Sequence, residues 1–300
     1  MLRGYLFILI AATLWGIIGP ISRLAFQEGV APLEVAFWRA TLTWLFFAVH
    51  ALLTRRVRMA LRDLPMAALF GLTGVTCFYG SYQLAVRGGG AALAAVLLYT
   101  APAWVAIMSR IVFKERMTAV KLIALALTLL GVAGVSTGGD AGAAVAAGPA
   151  ALGAGLAAGF CYALYYIFGK HFSGSYTSPN LFLYLLPIGA LGLLPWVEFS
   201  HKTPTAWLAL FLLALLSTYG AYYCYYVGIL HLEATRAAIT ATLEPVIAAI
   251  VAFFWWGEFF TPLGYLGSAL ILASVLLMVW DGSRSESPAE DPAGAKTESV

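Results

Sequence analysis

Ten runs of about twenty apolar residues succeed one another along this chain, each long enough to cross the ~30 Å hydrocarbon core of a bilayer as a helix. They fall near residues 4–21, 33–53, 64–86, 91–113, 117–136, 151–169, 180–199, 206–230, 234–256 and 262–280. The chain is 62% hydrophobic and 10% charged, whereas soluble domains carry about 25% charged residues. A soluble core cannot hide that much apolar surface, so lipid must solvate it. In hydrocarbon each segment must satisfy its own backbone polar groups, so runs of this length are helices. The sequence thus predicts an all-α polytopic membrane protein with ten transmembrane helices. The first run is too long for a signal peptide, lacks a small-x-small cleavage site and leads directly into further spans. The net charge of +3 gives no reason to expect a nucleic-acid partner. Cys77, Cys161 and Cys224 fall inside apolar runs and read as small core residues, not as a disulfide or metal framework.

The runs form two copies of one unit. Residues 98–115, LYTAPAWVAIMSRIVFKE, are echoed by residues 241–258, ATLEPVIAAIVAFFWWGE. Pro102 then matches Pro245, and Glu115 matches Glu258, at an offset of 143 residues. The same offset pairs Tyr79 with Tyr222, Tyr82 with Tyr225 and Thr118 with Thr261. Apolar helices resemble one another by composition, but shared Pro, Glu, Tyr and Thr in one register mark a repeat. The expected organisation is a first repeat over residues 1–137, a small, flexible linker over 138–150, a second repeat over 151–281 and a disordered Ser-, Pro- and Glu-rich tail over 282–300. Each copy holds five spans. Because five is odd, the second copy enters the membrane from the opposite side, and the repeats are inverted about an axis in the membrane plane.

Basic residues set the expected orientation. Arg3, Arg55, Arg56, Arg58, Arg62, Arg110, Lys114, Arg116, Lys170, Arg236, Arg284 and Lys296 fall on the side of the N-terminus; Arg23, Arg87 and Lys202 fall on the other. The positive-inside rule then puts both termini in the cytoplasm and the linker outside.

Inverted repeats place a binding site near the midplane between the copies. Trp15 lies eleven residues into the first run, about 16 Å deep at ~1.5 Å per residue. Aligning Trp15-Gly16 with Tyr162-Ala163 sets Tyr162 at matching depth, facing Trp15, and Tyr99 completes an aromatic wall. Tyr79 and Tyr82 share one face of the third run and Tyr222 and Tyr225 one face of the eighth; either pair lines a pathway or belongs to an interfacial aromatic belt. Pro20, Pro102 and Pro245 are candidate bends or hinges, since a proline frees a carbonyl and bends the helix axis. Charges inside the runs are few, and an intramembrane ionisable group is a functional candidate by default. Arg39 is a candidate partner for a substrate carboxylate or, alternatively, for helix-end carbonyls. Glu244 is a candidate proton carrier or, alternatively, a partner for a backbone group freed near Pro245. Glu115 and Glu258 read as structural anchors at helix ends.

The absence of an acidic residue in the first run argues against exchange of lipophilic cations there, and no facing Lys and Arg set suits a phosphorylated sugar. A membrane-embedded enzyme is the rival outside transport, but there is no HExxH, no paired mid-membrane aspartate, and His50, His171, His201 and His231 all lie near span ends. Nothing in the pattern calls for a cofactor or metal, and nothing sets an oligomeric state, a monomer included.

The Trp15-Gly16 pair, Arg39, the AP…KE pattern of Pro102–Glu115 and the LEP…WGE pattern of Leu243–Glu258 resemble the drug/metabolite transporter superfamily, specifically its EamA-type members. The resemblance runs from Gly4 to Trp280. Within it, length and aromatic content look like the YddG-type exporters of aromatic and other neutral amino acids. The resemblance implies an inner-membrane exporter working by alternating access. Depth and helix face, not the resemblance, make Trp15, Tyr79, Tyr82, Tyr99 and Tyr162 the candidates to enclose its small-molecule substrate, with Arg39 as a carboxylate partner. Another metabolite or a drug remains the alternative cargo.

Overall fold

The computed structural model describes residues 1–137, 148–257 and 261–284. Among these there is no strand, and ten helices are long and apolar enough to cross a membrane. The spans, numbered one to ten in chain order, are Leu2–Gln27, Pro32–Leu53, Leu61–Gly90, Leu93–Val112, Ala119–Ser136, Pro149–Ser173, Ser178–Trp196, Pro204–Ile229, Ala234–Trp255 and Pro262–Arg284. Most of the expected linker, Glu258, and the tail from residue 285 lie outside the described residues. Each run read from the sequence corresponds to one of these spans.

The copies interleave. Span one packs on spans eight and nine, and its counterpart, span six, packs on spans three and four. Spans two and seven pair with each other, as do five and ten. The exchange is reciprocal, as an inverted repeat about one in-plane axis requires, and each copy completes the packing of the other. Lipid tails are as apolar as leucine, so such pairs are held by close packing and a few polar contacts. Gly267 of span ten illustrates this: a Cβ there would stand 2.4 Å from the Gly131 carbonyl oxygen of span five. Near it the Thr128 and Ser274 hydroxyls hydrogen-bond at 2.8 Å.

Proline chemistry explains where the spans break. A proline lacks the N–H that would bond the carbonyl four residues earlier. Span one stops as Leu2–Gly16 and resumes as Ile18–Gln27, with Pro20 in its first turn. The helix before Pro102 ends at Leu98, and the helix before Pro245 ends at Ala241. In all three cases the last residue of the first piece is the one whose carbonyl the proline cannot serve. Span six has Ala163 where the repeat offset would place Pro20's counterpart, and it runs unbroken from Pro149 to Ser173. Pro187 is different. It lies inside the continuous helix Ser178–Leu193, and the Leu183 carbonyl it leaves free accepts a hydrogen bond from Trp44 Nε1 of span two at 3.1 Å.

Two wide, π-helical turns interrupt the third span of each copy, at Leu72–Cys77 and Leu213–Gly220. They overlap at the 143-residue offset. Such turns recur at functional sites because they displace side chains from regular helical register. One reading of the sequence is corrected here: Cys161 is buried and Cys224 half-buried, but Cys77 is exposed at the edge of its π-helical turn.

Candidate functional site

A cavity of about 650 Å3 opens between the two copies. Its inner part is lined by mid-span residues, among them Trp15, Tyr162, Tyr165, Tyr222 and Glu244. Its mouth is lined by residues near span ends: Arg23 and Phe26 of span one, Pro32 of span two and Ser136 of span five. All of these ends lie on the face opposite Met1, so the cavity opens to that far face.

On the face of the termini, ionic and capping contacts hold the spans together. Lys121 Nζ lies 2.6 Å from Glu233 Oε2, and Arg236 Nε lies 2.9 Å from the same atom. Arg236 also pairs with Asp281 at 2.6 Å and donates to the Tyr5 hydroxyl at 3.1 Å. Lys170 Nζ donates to the carbonyls of Ile229 and Leu232 at 2.9 and 2.6 Å. These bonds tie spans one, five, six and ten to the junction between spans eight and nine. Burial disfavours the charged form of Glu233, but the hydrogen bond and charge of Lys121, joined by Arg236, outweigh it and hold this loop carboxyl below its ordinary value. On the far face Glu34 pairs with Lys202 and accepts from the Ser200 hydroxyl at 2.8 Å, fastening span two to the loop before span eight.

Every aromatic residue singled out by sequence lines the cavity, as do Arg39, Glu244, Pro20 and Pro245. Pro102 is buried beneath it, beside Tyr99 and Tyr162. The arrangement of the rings differs from expectation. The ring partners of Trp15 are Tyr225 and Tyr222, at centroid distances of 5.7 and 6.1 Å. Tyr162 instead stacks on Phe78 at 5.6 Å and meets Tyr166 edge-on. The reason lies in the repeat register. Gly16 lets span one close on the broken ninth span, where a Cβ would stand 2.9 Å from the Glu244 carbonyl oxygen. The counterpart contact in span six is made by Gly159, which would meet the Leu97 carbonyl at 2.6 Å. Gly159 is 143 residues from Gly16, so the close approach falls about one turn before Ala163.

Of the two tyrosine pairs read as pathway or belt, both line the cavity: Tyr79 and Tyr82, and Tyr222 and Tyr225. Tyr165 and Tyr166 of span six line it as well. Thr218 was not legible at all. The π-helical turn of span eight lets its hydroxyl donate to the Leu213 carbonyl at 2.9 Å while accepting from Arg39 Nε at 3.2 Å. The Arg39 guanidinium also lies 5.7 Å from the Tyr79 ring centroid. Across the cavity the Tyr162 hydroxyl donates to Glu244 Oε2 at 3.2 Å, and the Tyr99 hydroxyl stands beside the same carboxylate. The inner part of the site can therefore enclose an apolar or aromatic body and offer one cation and one anion to polar groups attached to it.

Ten spans in inverted repeats around a one-sided cavity define a membrane transporter architecture. The chain belongs to the EamA-like transporter family, whose model matches residues 2–137 and 149–280. It is 29% identical over 261 residues to an uncharacterized transporter of Archaeoglobus fulgidus, covering 87% of this chain and 92% of that one. It is 27% identical to a probable terminal-alkyne amino-acid exporter of Streptantibioticus cattleyicolor, over 88% and 89% of the two chains. It is 25% identical to the uncharacterized inner membrane transporter YicL of Salmonella typhimurium, over 94% and 97%. A solved crystal structure shares the fold at a TM-score of 0.81 and 16% identity, covering 95% of this chain and 99% of its own.

Proposed function

We propose that this protein exports amino acids, aromatic and other neutral ones, across the inner membrane by alternating access between its inverted repeats. The observation that carries the reading is the cavity: about 650 Å3, walled by Trp15, Tyr79, Tyr82, Tyr99 and Tyr162, with Arg39 set among them. Small-molecule sites typically span about 300–1,000 Å3 and combine apolar walls with a few placed polar groups. A planar or branched side chain gains contact area against the rings, and Arg39 attracts the carboxylate. The resemblance to an amino-acid exporter supports the substrate class, and that to an inner membrane transporter supports the location. The arginine-rich face takes the cytoplasmic side by the positive-inside rule, so the cavity faces outward, as for a transporter that has released its cargo. Pro20, Pro102 and Pro245 act as the bends across which the half-helices tilt when the cavity changes sides.

Proteoliposomes loaded with labelled amino acids test the proposal. Efflux of phenylalanine, tyrosine or leucine well above that of aspartate or lysine is the expected result. Movement of a different metabolite, with no amino acid moved, would discard it in favour of another cargo.

A further inference from the structure

Two opposite charges share the inner part of this cavity, and each is held in place without an ionic partner. Arg39 is fixed by Thr218 and by the Tyr79 ring. Glu244 is fixed by Tyr162, beside Tyr99, in the first turn of the half-helix Glu244–Trp256. Among the described residues neither forms a salt bridge with any side chain, although the guanidinium is near enough to act on the carboxylate electrostatically. Charges removed from water cost several kcal/mol each unless something compensates them. A direct Arg39–Glu244 pair would be the simplest compensation, and the fold does not make it. Instead each side chain is oriented by neutral hydroxyls and rings, leaving a gap between a fixed cation and a fixed anion.

We propose that Glu244 is the ammonium subsite of this transporter and that, with Arg39, it selects zwitterions. The proposal rests on the amino-acid reading and specifies how the head group is held. An α-amino acid carries its ammonium next to its carboxylate, so it bridges the gap in the complementary order, ammonium toward Glu244 and carboxylate toward Arg39. Its side chain then lies among Trp15, Tyr222 and Tyr225. Tyr162 holds the carboxylate by a hydrogen bond, with Tyr99 beside it, and its remaining lone pairs are left for the ligand. A molecule with only one of the two charges leaves the other protein charge uncompensated, and this penalty is the source of the selectivity.

Three ligands of similar shape test this on the purified full chain: L-phenylalanine, 3-phenylpropanoate (no amine) and 2-phenylethylamine (no carboxylate). Wild-type protein is expected to bind phenylalanine tighter than either by about ten- to a hundredfold, the scale of one charge-assisted hydrogen bond. Glu244→Gln should lose that advantage for phenylalanine and weaken 2-phenylethylamine, while 3-phenylpropanoate binds as well as before or better, which also shows that the variant is folded. Equal binding of phenylalanine and 3-phenylpropanoate by wild type would overturn the proposal without any variant. So would a Gln variant that weakens all three alike or none. If wild type binds none of the three but does bind another metabolite, the amino-acid reading itself has failed, an outcome distinct from either of these.

Discussion

Glu115 at the end of the fourth span accepts a hydrogen bond from the backbone N–H of Ala234, at 2.8 Å, and so caps a helix of the other repeat. Its second oxygen takes the Thr235 hydroxyl at 2.7 Å and the Thr235 N–H at 3.3 Å. The residue read from sequence as an anchor is thus an N-cap supplied in trans, to the half-helix Ala234–Ala241 that leads to the break above Glu244. Losing an N-cap costs about 0.5–2 kcal/mol, and a buried carboxylate making three bonds belongs at the upper end. Glu115→Ala should lower the thermal unfolding temperature of the purified protein, with Glu115→Gln less damaging because its amide oxygen still accepts. An unchanged unfolding temperature in the Ala variant would exclude the capping role.

The network around Glu233 predicts an acid-sensitive closure. The folded carboxyl is held below its ordinary value, so its contribution is fully present above that ordinary value, neutral pH included, and is lost as pH falls below it through the depressed one. Wild-type stability should therefore drop between pH 7 and about pH 3.5 by more than that of Glu233→Gln, which has no charge to lose there. Parallel stability curves for the two proteins would show that the pairs with Lys121 and Arg236 do not stabilise the closed face.

Trp44 and Pro187 should be energetically coupled. Trp44→Phe leaves the Leu183 carbonyl unpaired, at a cost of about 1–3 kcal/mol. In a Pro187→Ala background, residue 187 regains an N–H that can serve Leu183, so the same Trp44→Phe change should cost less. A double-mutant cycle on unfolding stability reads the difference. Strict additivity would mean that the indole bond is incidental.

What the sequence revealed follows from range. Span positions and the inverted repeat depend on composition and periodicity, which are local or recur at a fixed offset. The breaks before Pro20, Pro102 and Pro245 follow from one missing N–H each. Pro187 escapes that rule because the group that serves the Leu183 carbonyl, Trp44 Nε1, lies 139 residues earlier in the chain. Arg39 was recognisable as an odd charge, but Thr218 was not, since a π-helical turn decides which way its hydroxyl points. Lys121 likewise gave no sign of its role, because its partner Glu233 lies in the other copy. Ring depths could be estimated from rise per residue. Ring pairings could not, because a one-turn shift of the close contact from Ala163 to Gly159 is enough to exchange partners.

Coupling to protons is expected to run through Glu244. Tyr82, Tyr99, Tyr162 and Tyr166 face it from spans three, four and six, and Arg39 from span two. A carboxylate that holds either a proton or an ammonium exchanges one for the other. Glu244→Gln should then abolish the effect of an imposed pH gradient on the efflux that remains. A gradient response equal to wild type would confine Glu244 to binding and structure.

Trp15 and Tyr99 provide the test of the aromatic wall. A substrate ring seated between such side chains gains about 0.5–1.5 kcal/mol from aromatic geometry beyond its contact area, which is roughly a two- to tenfold change in affinity. Truncation also opens a cavity, so the measured loss should exceed that figure. Trp15→Ala removes the ring against Tyr222 and Tyr225, and Tyr99→Ala removes both a wall and a neighbour of Glu244. Both variants should weaken phenylalanine transport more than threonine transport at equal membrane expression, with Tyr99→Ala less selective because it also disturbs the head-group end. The ratio of the two substrates separates a binding role from misfolding, which lowers both rates together. Equal losses for the two substrates, or no loss in either variant, would return these residues to the packed core.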